Sequence, residues 1–316
     1  MELIRDLHNL RPRHRGSVTT MGAFDGVHRG HQAVLNRLMA QGRALNLPST
    51  VVLFEPLPRE YFAPREAPPR LMSFREKFQA LRALGVDRVL RIRFTDEFRD
   101  MGAREFVQSV FVDGLGSRYV IVGDDLHFGR NRAGDLELLK SIGEDYGFEV
   151  AATNTVMDGD KRISSTRIRQ ALEQADFQLA EELLGRPYSI SGRVIVGQQL
   201  GRTLAAATAN LELHRLQAPL AGVYAVEVDI AGKLHRGVAN VGTRPTVGDM
   251  SKAILEVHIL DFAENIYRKN ITVIFRQKIR DEHKFESVEL LREQIHRDFE
   301  LGRRYFAAVD GQAGSQ

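Results

Sequence analysis

The segment Gly22–His31 reads GAFDGVHRGH, and it decides the fold of the first half of the chain. It continues the apolar run Ser17–Phe24, which predicts a strand, and enters the helical pattern Gly30–Leu45. Its glycines allow the backbone to turn sharply and allow a ligand to approach closely. The N-terminus of a helix supplies N–H groups and the positive end of the helix dipole, which favour phosphate. The segment therefore predicts a strand, a tight turn and a helix, with an anion site at the turn.

The rest of the first half repeats this alternation of strands and helices. Further strands are predicted at Thr50–Phe54, Arg88–Phe94, Arg118–Gly123 and Phe148–Thr153. Further helices are predicted at Ser73–Leu84, Ala103–Phe111 and Asp135–Tyr146. Strands that alternate with helices form parallel sheets, whose ligands bind at the carboxyl ends of the strands. We therefore expect the functional residues of this half in the loops that follow its strands.

The second half changes character after the predicted helix Phe177–Leu184. Strands then follow strands between frequent glycines, with the clearest patterns at Val223–Ile230, Ile254–Leu260 and Asn270–Phe275. Such a pattern predicts an antiparallel sheet or small barrel, and the helical pattern Ser287–Phe299 closes it. We therefore expect an α/β domain over residues 1–185, a β-rich domain over residues 186–310 and a flexible tail over residues 311–316.

The composition excludes several classes of protein. The chain has 316 residues, no cysteine and a formal net charge of +3. The lack of cysteine excludes disulfides, thiolate metal sites and cysteine nucleophiles. The small net charge argues against a nucleic-acid coat or a membrane-surface protein, and we expect no nucleic-acid or membrane partner. There is no signal-peptide pattern and no run of about 18 apolar residues, so we expect a cytoplasmic protein.

Two short segments carry residue types that suit a nucleoside triphosphate. His28 and His31 are three residues apart, so both can face one ligand from the first helical turn; alternatively they are two solvated histidines beside a tight turn. The second segment, Ile163–Arg169, reads ISSTRIR and also opens a helix. Ser165 and Thr166 either cap that helix or join Arg169 in binding a triphosphate. In the functional interpretation, the two segments hold a nucleotide from two sides.

A series of short strings runs through nearly the whole chain. In order, they are Gly22–His31, Phe54–Pro56, Pro58–Glu60, Gly123–Asp135, Ile163–Arg169, Gly201–Leu204, Thr208–Asn210, Gly222–Tyr224, Gly237–Val247, Leu255–Phe262 and Ile279–Glu282. The first half resembles the nucleotidylyltransferase superfamily, with its His-x-Gly-His signature. All the strings together resemble the prokaryotic bifunctional riboflavin kinase/FMN adenylyltransferase family. The resemblance implies a nucleotidylyltransferase-type α/β domain, followed by an antiparallel β-barrel of the riboflavin-kinase type with a closing helix.

The resemblance also implies two reactions. In the carboxyl-terminal module, ATP phosphorylates riboflavin to FMN. In the amino-terminal module, FMN attacks the α-phosphorus of a second ATP to give FAD and pyrophosphate. Mg²⁺ is the implied cofactor, ATP is the co-substrate, and riboflavin, FMN and FAD are the implied flavin ligands.

Residue roles in the amino-terminal module follow from the same resemblance. The implied ATP-binding residues are Gly22, Phe24, His28, His31, Ser165, Thr166 and Arg169. His28 and His31 are also the implied catalytic residues. Asp125 and Phe128 match residues near the flavin.

In the carboxyl-terminal module, Thr208 and Asn210 match the pair that holds Mg²⁺ and the ATP phosphates, and Glu256 matches the catalytic base. The alternation of apolar residues agrees, because it puts Glu256 and His258 on one face of a strand. Without the resemblance, Glu256 would be interpreted as a solvated carboxylate on a strand.

Two strings depart from the usual pattern of the family. Members usually carry Gly-Phe-Pro before the Thr-Ala-Asn string, whereas here Ala205–Ala207 precede Thr208. A segment without proline is more costly to order, which leaves open a transferase with a degraded kinase module. Members also usually read Asp-Phe-Arg-Phe-Gly where Asp125–Gly129 read DLHFG, so an arginine is lost.

Two other classes of protein remain as alternatives. Class I aminoacyl-tRNA synthetases share the His-x-Gly-His turn, but they need a large anticodon-reading region and a basic RNA face. A nucleic-acid-binding barrel needs a basic groove interleaved with stacking aromatic residues, and the strands of the second half lack that pattern. The net charge of +3 argues against both alternatives.

Overall fold

The computed structural model describes residues 1–195, 208–215, 217–246 and 248–313. The chain divides into two compact units. The α/β unit comprises Met1–Ala67 and Phe74–Ser164, and the barrel unit comprises Pro68–Ser73 and Ser165–Gln316.

A parallel sheet of six strands forms the centre of the α/β unit. Its strands are β1 (Glu2–Arg5), β2 (Ser17–Met21), β3 (Ser49–Glu55), β4 (Arg88–Arg93), β5 (Ser117–Gly123) and β6 (Glu149–Thr153). They lie in the order β1-β4-β3-β2-β5-β6, so the order reverses at β2. Ligands of such sheets bind at this reversal, beside the carboxyl ends of the strands, which here means the loops after β2 and β5.

Helices pack around this sheet. They are α1 (Arg29–Leu45), α2 (Pro58–Phe62), α3 (Phe74–Leu84), α4 (Asp96–Asp100), α5 (Ala103–Val107) and α6 (Leu136–Tyr146). A π-helical turn, Gln108–Gly114, continues α5. The sheet interior is apolar: Val51, Val52 and Leu53 of β3 have no exposed surface. After β6, a short hairpin pairs β7 (Met157–Asp158) with β8 (Lys161–Arg162).

A closed antiparallel barrel forms the centre of the barrel unit. Two helices, α7 (Ser165–Glu173) and α8 (Phe177–Leu184), precede it. Its strands are β9 (Ser189–Ile195), β10 (Thr208–Glu212), β11 (Gly222–Ile230), β12 (Lys233–Thr246), β13 (Gly248–Ile259) and β14 (Asn270–Arg280). They close in the order β10-β13-β12-β11-β14-β9, and the helix α9 (Val288–Ala313) follows.

Helix α9 is fixed on the barrel by a partly buried ion pair. The guanidinium of Arg280 on β14 donates to both carboxylate oxygens of Asp298, with Nε 2.9 Å from Oδ1 and Nη2 2.7 Å from Oδ2. Asp298 is only 3% exposed, and Gln294 donates a further hydrogen bond to its Oδ1. Bidentate pairs of this kind fix orientation as well as distance.

The predicted fold class is confirmed, with local differences. Strand β1 was missed, because half of its four residues are charged and the apolar signal is short. Strand β2 ends at Met21 and not at Phe24, because Phe24 has a φ of 46° and belongs to the turn. The last helix runs to Ala313, so it includes the first residues of the predicted tail; residues 314–316 lie outside the described residues.

Within the described ranges, no helix is long and apolar enough to cross a membrane. The predicted strings Gly201–Leu204 and Ala205–Ala207 lie outside the described residues.

Candidate active sites

The turn between β2 and α1 has an unusual backbone that positions two histidines. Phe24, Gly26 and Val27 all have positive φ values, of 46°, 86° and 42°. Only Gly26 adopts this conformation without steric conflict with a Cβ atom, so the turn stores strain at its other two positions. Backbone strain of this kind persists where the surrounding structure holds it, and it often marks functional sites. The turn leads directly to His28, the residue before the first residue of α1.

His28 caps helix α1 and lies against His31. Its Nδ1 accepts a hydrogen bond from the backbone N–H of His31, at 3.3 Å. Because Nδ1 is an acceptor here, the proton of the neutral ring is on Nε2, which is then a donor. The two imidazole rings stack with their centroids 3.6 Å apart and an interplanar angle of 18°. The pair therefore acts as one rigid group at the positive end of the helix.

Gly30 makes this ring arrangement possible. A Cβ atom on Gly30 would lie 3.1 Å from both Cε1 and Nδ1 of His28. Gly22 has a similar relation to Phe24, since an added Cβ would lie 3.2 Å from the phenyl ring. The Phe24 ring in turn lies 5.0 Å from the His31 ring. The predicted residues Gly22, Phe24, His28 and His31 therefore form one packed cluster.

The pKa of His31 lies well below its ordinary value of 6.5. Burial is the largest cause, and repulsion by His28, Lys77 and Arg162 lowers the pKa further. His31 Nδ1 is closed to solvent, and no described residue hydrogen-bonds to it. His31 is therefore neutral at pH 7, in surroundings that are rich in positive charge.

Lys77 and Arg162 are two cations of this surrounding that the sequence analysis missed. Lys77 on α3 has no exposed surface, and Arg162 lies on β8. Both lie close enough to His31 to influence its pKa. The signal for Lys77 was present in the sequence, because it shares the apolar face of α3 with Leu81, four residues later. A positive field suits the phosphates of a nucleotide.

The two predicted flavin-side residues lie in different surroundings within the α/β unit. Asp125 follows β5 and forms an exposed ion pair with Arg162, at 2.9 Å. Phe128 is 7% exposed and packs against Phe106, with ring centroids 5.5 Å apart. A Cβ atom on Gly134 would lie 2.5 Å from the Phe128 ring, which shows how tightly that ring is held. Phe128 therefore anchors the loop, whereas Asp125 lies at its surface.

The predicted triphosphate residues Ser165, Thr166 and Arg169 all lie on α7 in the barrel unit. Ser165 and Thr166 are the first two residues of the helix, so Ser164 precedes it. Arg169 donates from Nε to the backbone carbonyl of Pro69, at 2.6 Å. This bond fixes the plane of the guanidinium group within the barrel unit.

The predicted kinase residues lie on the outer face of the barrel. Asn210 on β10 is directly opposite Glu256 on β13, and Thr208 is directly opposite His258. Side chains at directly opposed positions of antiparallel strands point to the same side of the sheet. Burial agrees, because Leu255, Val257 and Ile259 are buried whereas Glu256 and His258 are half-buried. The predicted pairing of Glu256 and His258 on one face is confirmed.

Helix α9 covers part of this outer face. The ring of Phe299 stacks on His258, with centroids 3.9 Å apart and an interplanar angle of 16°. Gly302 lies close to Val238, where an added Cβ would be 2.6 Å from Cγ2. The outer face beside Glu256 is therefore partly enclosed.

Comparison with known proteins follows the division of the chain. The FAD synthetase family model matches residues 10–167, and the riboflavin kinase family model matches residues 184–306. A bifunctional riboflavin kinase/FMN adenylyltransferase from Pseudomonas fluorescens is 52% identical over 303 residues, covering 96% of this chain and 97% of the relative. One from Escherichia coli (strain K12) is 48% identical over 308 residues, covering 97% and 98%.

The chain belongs to the bifunctional riboflavin kinase/FMN adenylyltransferase family. The architecture described above is therefore that of a member of this family. A solved structure described as a macrolide-efflux protein from Streptococcus pneumoniae is also similar, with a TM-score of 0.76 and 32% identity. It covers 96% of this chain and 99% of that one, so the likeness includes both units.

The kinase half of this family member contains a further polar residue that the sequence analysis did not assign. Asn240 on β12 is directly opposite Glu256, on the side away from Asn210. The three residues Asn210, Glu256 and Asn240 therefore form one row across three neighbouring strands, here called the outer row. The string GVANVGTRPTV contains Asn240, but only the strand register reveals that it lies beside Glu256.

Oxygen donors on the outer face suit Mg²⁺ better than a transition metal. Thr208 and Asn210 are two residues apart on β10 and offer a hydroxyl and an amide oxygen on one face. Oxygen ligands, completed by substrate phosphates and water, are typical of Mg²⁺ sites. No group of three or more His, Asp or Glu residues that could hold a metal was found among the described residues. The donor set thus fits a metal ion that is held jointly with ATP.

Proposed function

We propose that this chain converts riboflavin to FMN in the barrel unit and FMN to FAD in the α/β unit. In the first reaction, the γ-phosphoryl group of ATP moves to the ribityl 5′-hydroxyl, and ADP leaves. In the second, a phosphate oxygen of FMN attacks the α-phosphorus of ATP, and pyrophosphate leaves. The observation that carries the proposal is that two residue sets, suited to the two reactions, lie in separate units: His28 with His31, and Asn210 with Glu256.

For adenylyl transfer, we propose that the start of α1 binds the phosphates of ATP. The Nε2–H of His28 is suited to donate to a phosphate oxygen as negative charge moves to the leaving pyrophosphate. His31 fixes the His28 ring by stacking and by its backbone N–H. The positive charge of Lys77 adds to the field, whereas the charge of Arg162 is partly offset by its ion pair with Asp125. Because no covalent intermediate is needed, positioning and charge stabilisation supply the catalysis.

We also propose a phosphate-binding role for Ser165, Thr166 and Arg169, which belong to the proposed transferase residues 1–185 although they lie in the barrel unit. Two hydroxyls in the first turn of α7 are suited to bind an anion, because that end of a helix carries partial positive charge. The Nε bond of Arg169 to Pro69 holds the guanidinium in one orientation, which lowers the entropy lost on binding phosphate. On the flavin side, we propose that Asp125 contacts FMN and that Phe128 holds the loop in place.

For phosphorylation, we propose Glu256 as the general base. Its carboxylate accepts the proton of the 5′-hydroxyl as the oxygen bonds to the γ-phosphorus. Asn210 and Thr208 bind the ATP phosphates together with Mg²⁺. When bound, Mg²⁺ neutralises the phosphate charge that would repel the attacking oxygen.

The remaining assignments are also proposals. We assign residues 1–185 to the transferase, residues 186–310 to the kinase and residues 311–316 to a tail; this boundary near residue 185 agrees with the start of the riboflavin kinase match at residue 184. The partners are small-molecule substrates, without nucleic acid or membrane, and the location is the cytoplasm. The lack of cysteine fits a reducing compartment.

Incubation of the protein with riboflavin, ATP and Mg²⁺, followed by chromatography of the flavins, tests the proposal. We expect both FMN and FAD to form. If riboflavin stays unchanged while supplied FMN becomes FAD, the kinase module is degraded and the run Ala205–Ala207 is the first place to examine. If neither FMN nor FAD forms, the proposal is wrong.

A further inference from the structure

Asn240 lies on the outer row, and the described residues around it leave one of its polar side-chain atoms without a hydrogen bond. Its side-chain oxygen Oδ1 is closed to solvent, and no described residue donates a hydrogen bond to it. A buried acceptor without a donor is unfavourable, because it has lost its hydrogen bond to water and gained none in return. Such a group is retained where something else supplies the donor.

The residues directly opposite Asn240 on its two neighbouring strands are poor donors. Glu256, directly opposite on β13, has only acceptor oxygens when it is ionised. Val223, directly opposite on β11, is apolar. Asn210 lies two strands away, at roughly 10 Å for strands spaced about 4.8 Å apart. A hydroxyl or N–H group of a ligand that lies along the outer row would supply the donor that Oδ1 lacks among the described residues.

Riboflavin brings such donors to this place. In the proposed kinase reaction, its 5′-hydroxyl faces Glu256, and the ribityl chain carries further hydroxyls on the adjacent carbons. Directly opposed side chains of neighbouring strands have Cβ atoms about 5 Å apart, a spacing that a polyol can bridge. An acceptor beside the general base is thus suited to a secondary hydroxyl of the same chain.

We propose that Oδ1 of Asn240 accepts a hydrogen bond from a secondary hydroxyl of the ribityl chain, so that this residue selects flavins with a polyol side chain. This inference rests on the proposed kinase activity and adds a specificity determinant to it. A site that uses a buried polar group to bind a substrate hydroxyl discriminates strongly against an analogue without that hydroxyl. A site that binds only the ring system and the 5′-hydroxyl would lack this discrimination.

Two substrates and three proteins test the inference. The substrates are riboflavin and its 10-(5-hydroxypentyl) analogue, which keeps the ring system and the 5′-hydroxyl but lacks the other hydroxyls. The proteins are the wild type, Asn240→Ala and Asn210→Ala, and the measurement is kcat/KM for phosphorylation of each flavin. We expect Asn240→Ala to lower kcat/KM for riboflavin about 10- to 100-fold and to leave the analogue nearly unchanged.

Asn210→Ala is the matched control on the same row. Asn210 is assigned to the ATP side, so its loss should lower kcat/KM for both flavins by the same factor. Asn240→Asp keeps an acceptor oxygen and should keep the preference for riboflavin, even if the added charge lowers both rates. Conversion of supplied FMN to FAD reports whether the α/β unit of each variant is folded, and a circular-dichroism melting curve compared with that of the wild type reports whether the barrel unit is folded.

The outcomes separate this inference from the proposed function. If the wild type phosphorylates neither flavin, the proposed kinase activity fails, and the inference fails with it. If the wild type is active but Asn240→Ala lowers kcat/KM for both flavins equally, only the inference is overturned, and Asn240 has a structural or metal-binding role. A preference retained in Asn240→Ala would also overturn it.

Discussion

The two candidate sites of this chain are built in opposite ways. In the α/β unit, Gly22, Phe24, His28 and His31 come from one turn of ten residues, Gly22–His31. In the barrel unit, the outer row takes one residue from each of three strands that are separated along the sequence. A local turn can be recognised in the sequence as a short motif, whereas a row of residues across strands can be recognised only when the strand register is known. The first kind of site depends on backbone conformation, and the second depends on strand pairing.

Both sites nevertheless share one feature. Each holds a polar side-chain atom that is closed to solvent and hydrogen-bonded to no described residue: Nδ1 of His31 and Oδ1 of Asn240. Each of these atoms lies beside a residue that we assign to catalysis, His28 or Glu256. If the two units act separately, changes at one site should leave the reaction of the other intact. The following predictions test that separation.

Glu256→Gln should have the largest effect. It keeps the shape of the side chain but removes the basicity, so riboflavin phosphorylation should fall by about 10²–10⁴. Riboflavin binding, measured by quenching of flavin fluorescence, should change little. FMN supplied from outside should still become FAD, because that reaction belongs to the α/β unit.

The matched control is Glu212→Gln, which makes the same change at an exposed position on the outer face of β10. It should leave both reactions unchanged. Loss of both reactions in Glu256→Gln would indicate a shared site or a misfolded chain, and loss of neither would make Glu256 a solvated strand residue.

His31→Ala should impair the other reaction, the formation of FAD, and leave the formation of FMN intact. It removes the ring that stacks on His28, so the donor of His28 is no longer held in place, and FAD formation from FMN should fall by up to about 10²–10³, the usual effect of losing one transition-state donor. FMN formation from riboflavin should continue at the wild-type rate. The exposed His8, also in the α/β unit, supplies the control variant His8→Ala, which should keep both rates. FAD formation at the parent rate in His31→Ala would contradict the site assignment.

The lowered pKa of His31 predicts a smaller effect on stability. His31 stays neutral in the folded chain, but in the unfolded chain it takes up a proton as the pH falls through about 6.5. The unfolded state then binds more protons than the folded state, so the free energy of unfolding falls as the pH falls. The wild type should therefore lose more stability than His31→Gln between about pH 7.5 and 5.5, by roughly 1 kcal/mol. Urea denaturation at both pH values measures this difference, and equal losses would contradict the assigned neutral state.

The smallest expected effect concerns the family departure before Thr208. Replacing Ala206 by Phe and Ala207 by Pro restores the residues that members usually carry. Proline restricts the backbone before a ligand binds, so kcat/KM for ATP in the kinase reaction should rise by a few-fold. FAD formation from FMN should stay the same. Unchanged or lower kinase activity would show that the alanines are not a defect.

The sequence predicted the α/β sheet well, because its strands are continuous apolar runs such as Val51–Leu53 and its glycine-rich turn is local. It missed the edge strand β1, because the charged residues Glu2 and Arg5 leave only a short apolar signal. It also extended β2 to Phe24, because the positive φ of Phe24 depends on the packing of the turn. Helix Phe177–Leu184 was predicted with its observed bounds, because Asp176 caps it and Gly185 ends it in the left-handed conformation.

The residues of the candidate sites could be predicted where local spacing places them together, but not where tertiary packing or strand pairing does. His28 and His31 could be paired from their spacing alone, and Glu256 could be placed on the outward face from its alternation with Leu255 and Val257. The cations Lys77 and Arg162 come from elements that only tertiary packing brings near His31. Asn240 required the pairing of β12 with β13, which no local pattern encodes.

Mixing the two inactive variants tests the central claim of two separate sites most directly. Glu256→Gln alone, given riboflavin, ATP and Mg²⁺, should leave riboflavin unchanged, and His31→Ala alone should stop at FMN. An equal mixture of the two should form FAD, because FMN released by His31→Ala enters the intact α/β site of Glu256→Gln. A mixture that accumulates FMN without forming FAD would contradict the account, since it would mean that each reaction needs both residues in the same chain.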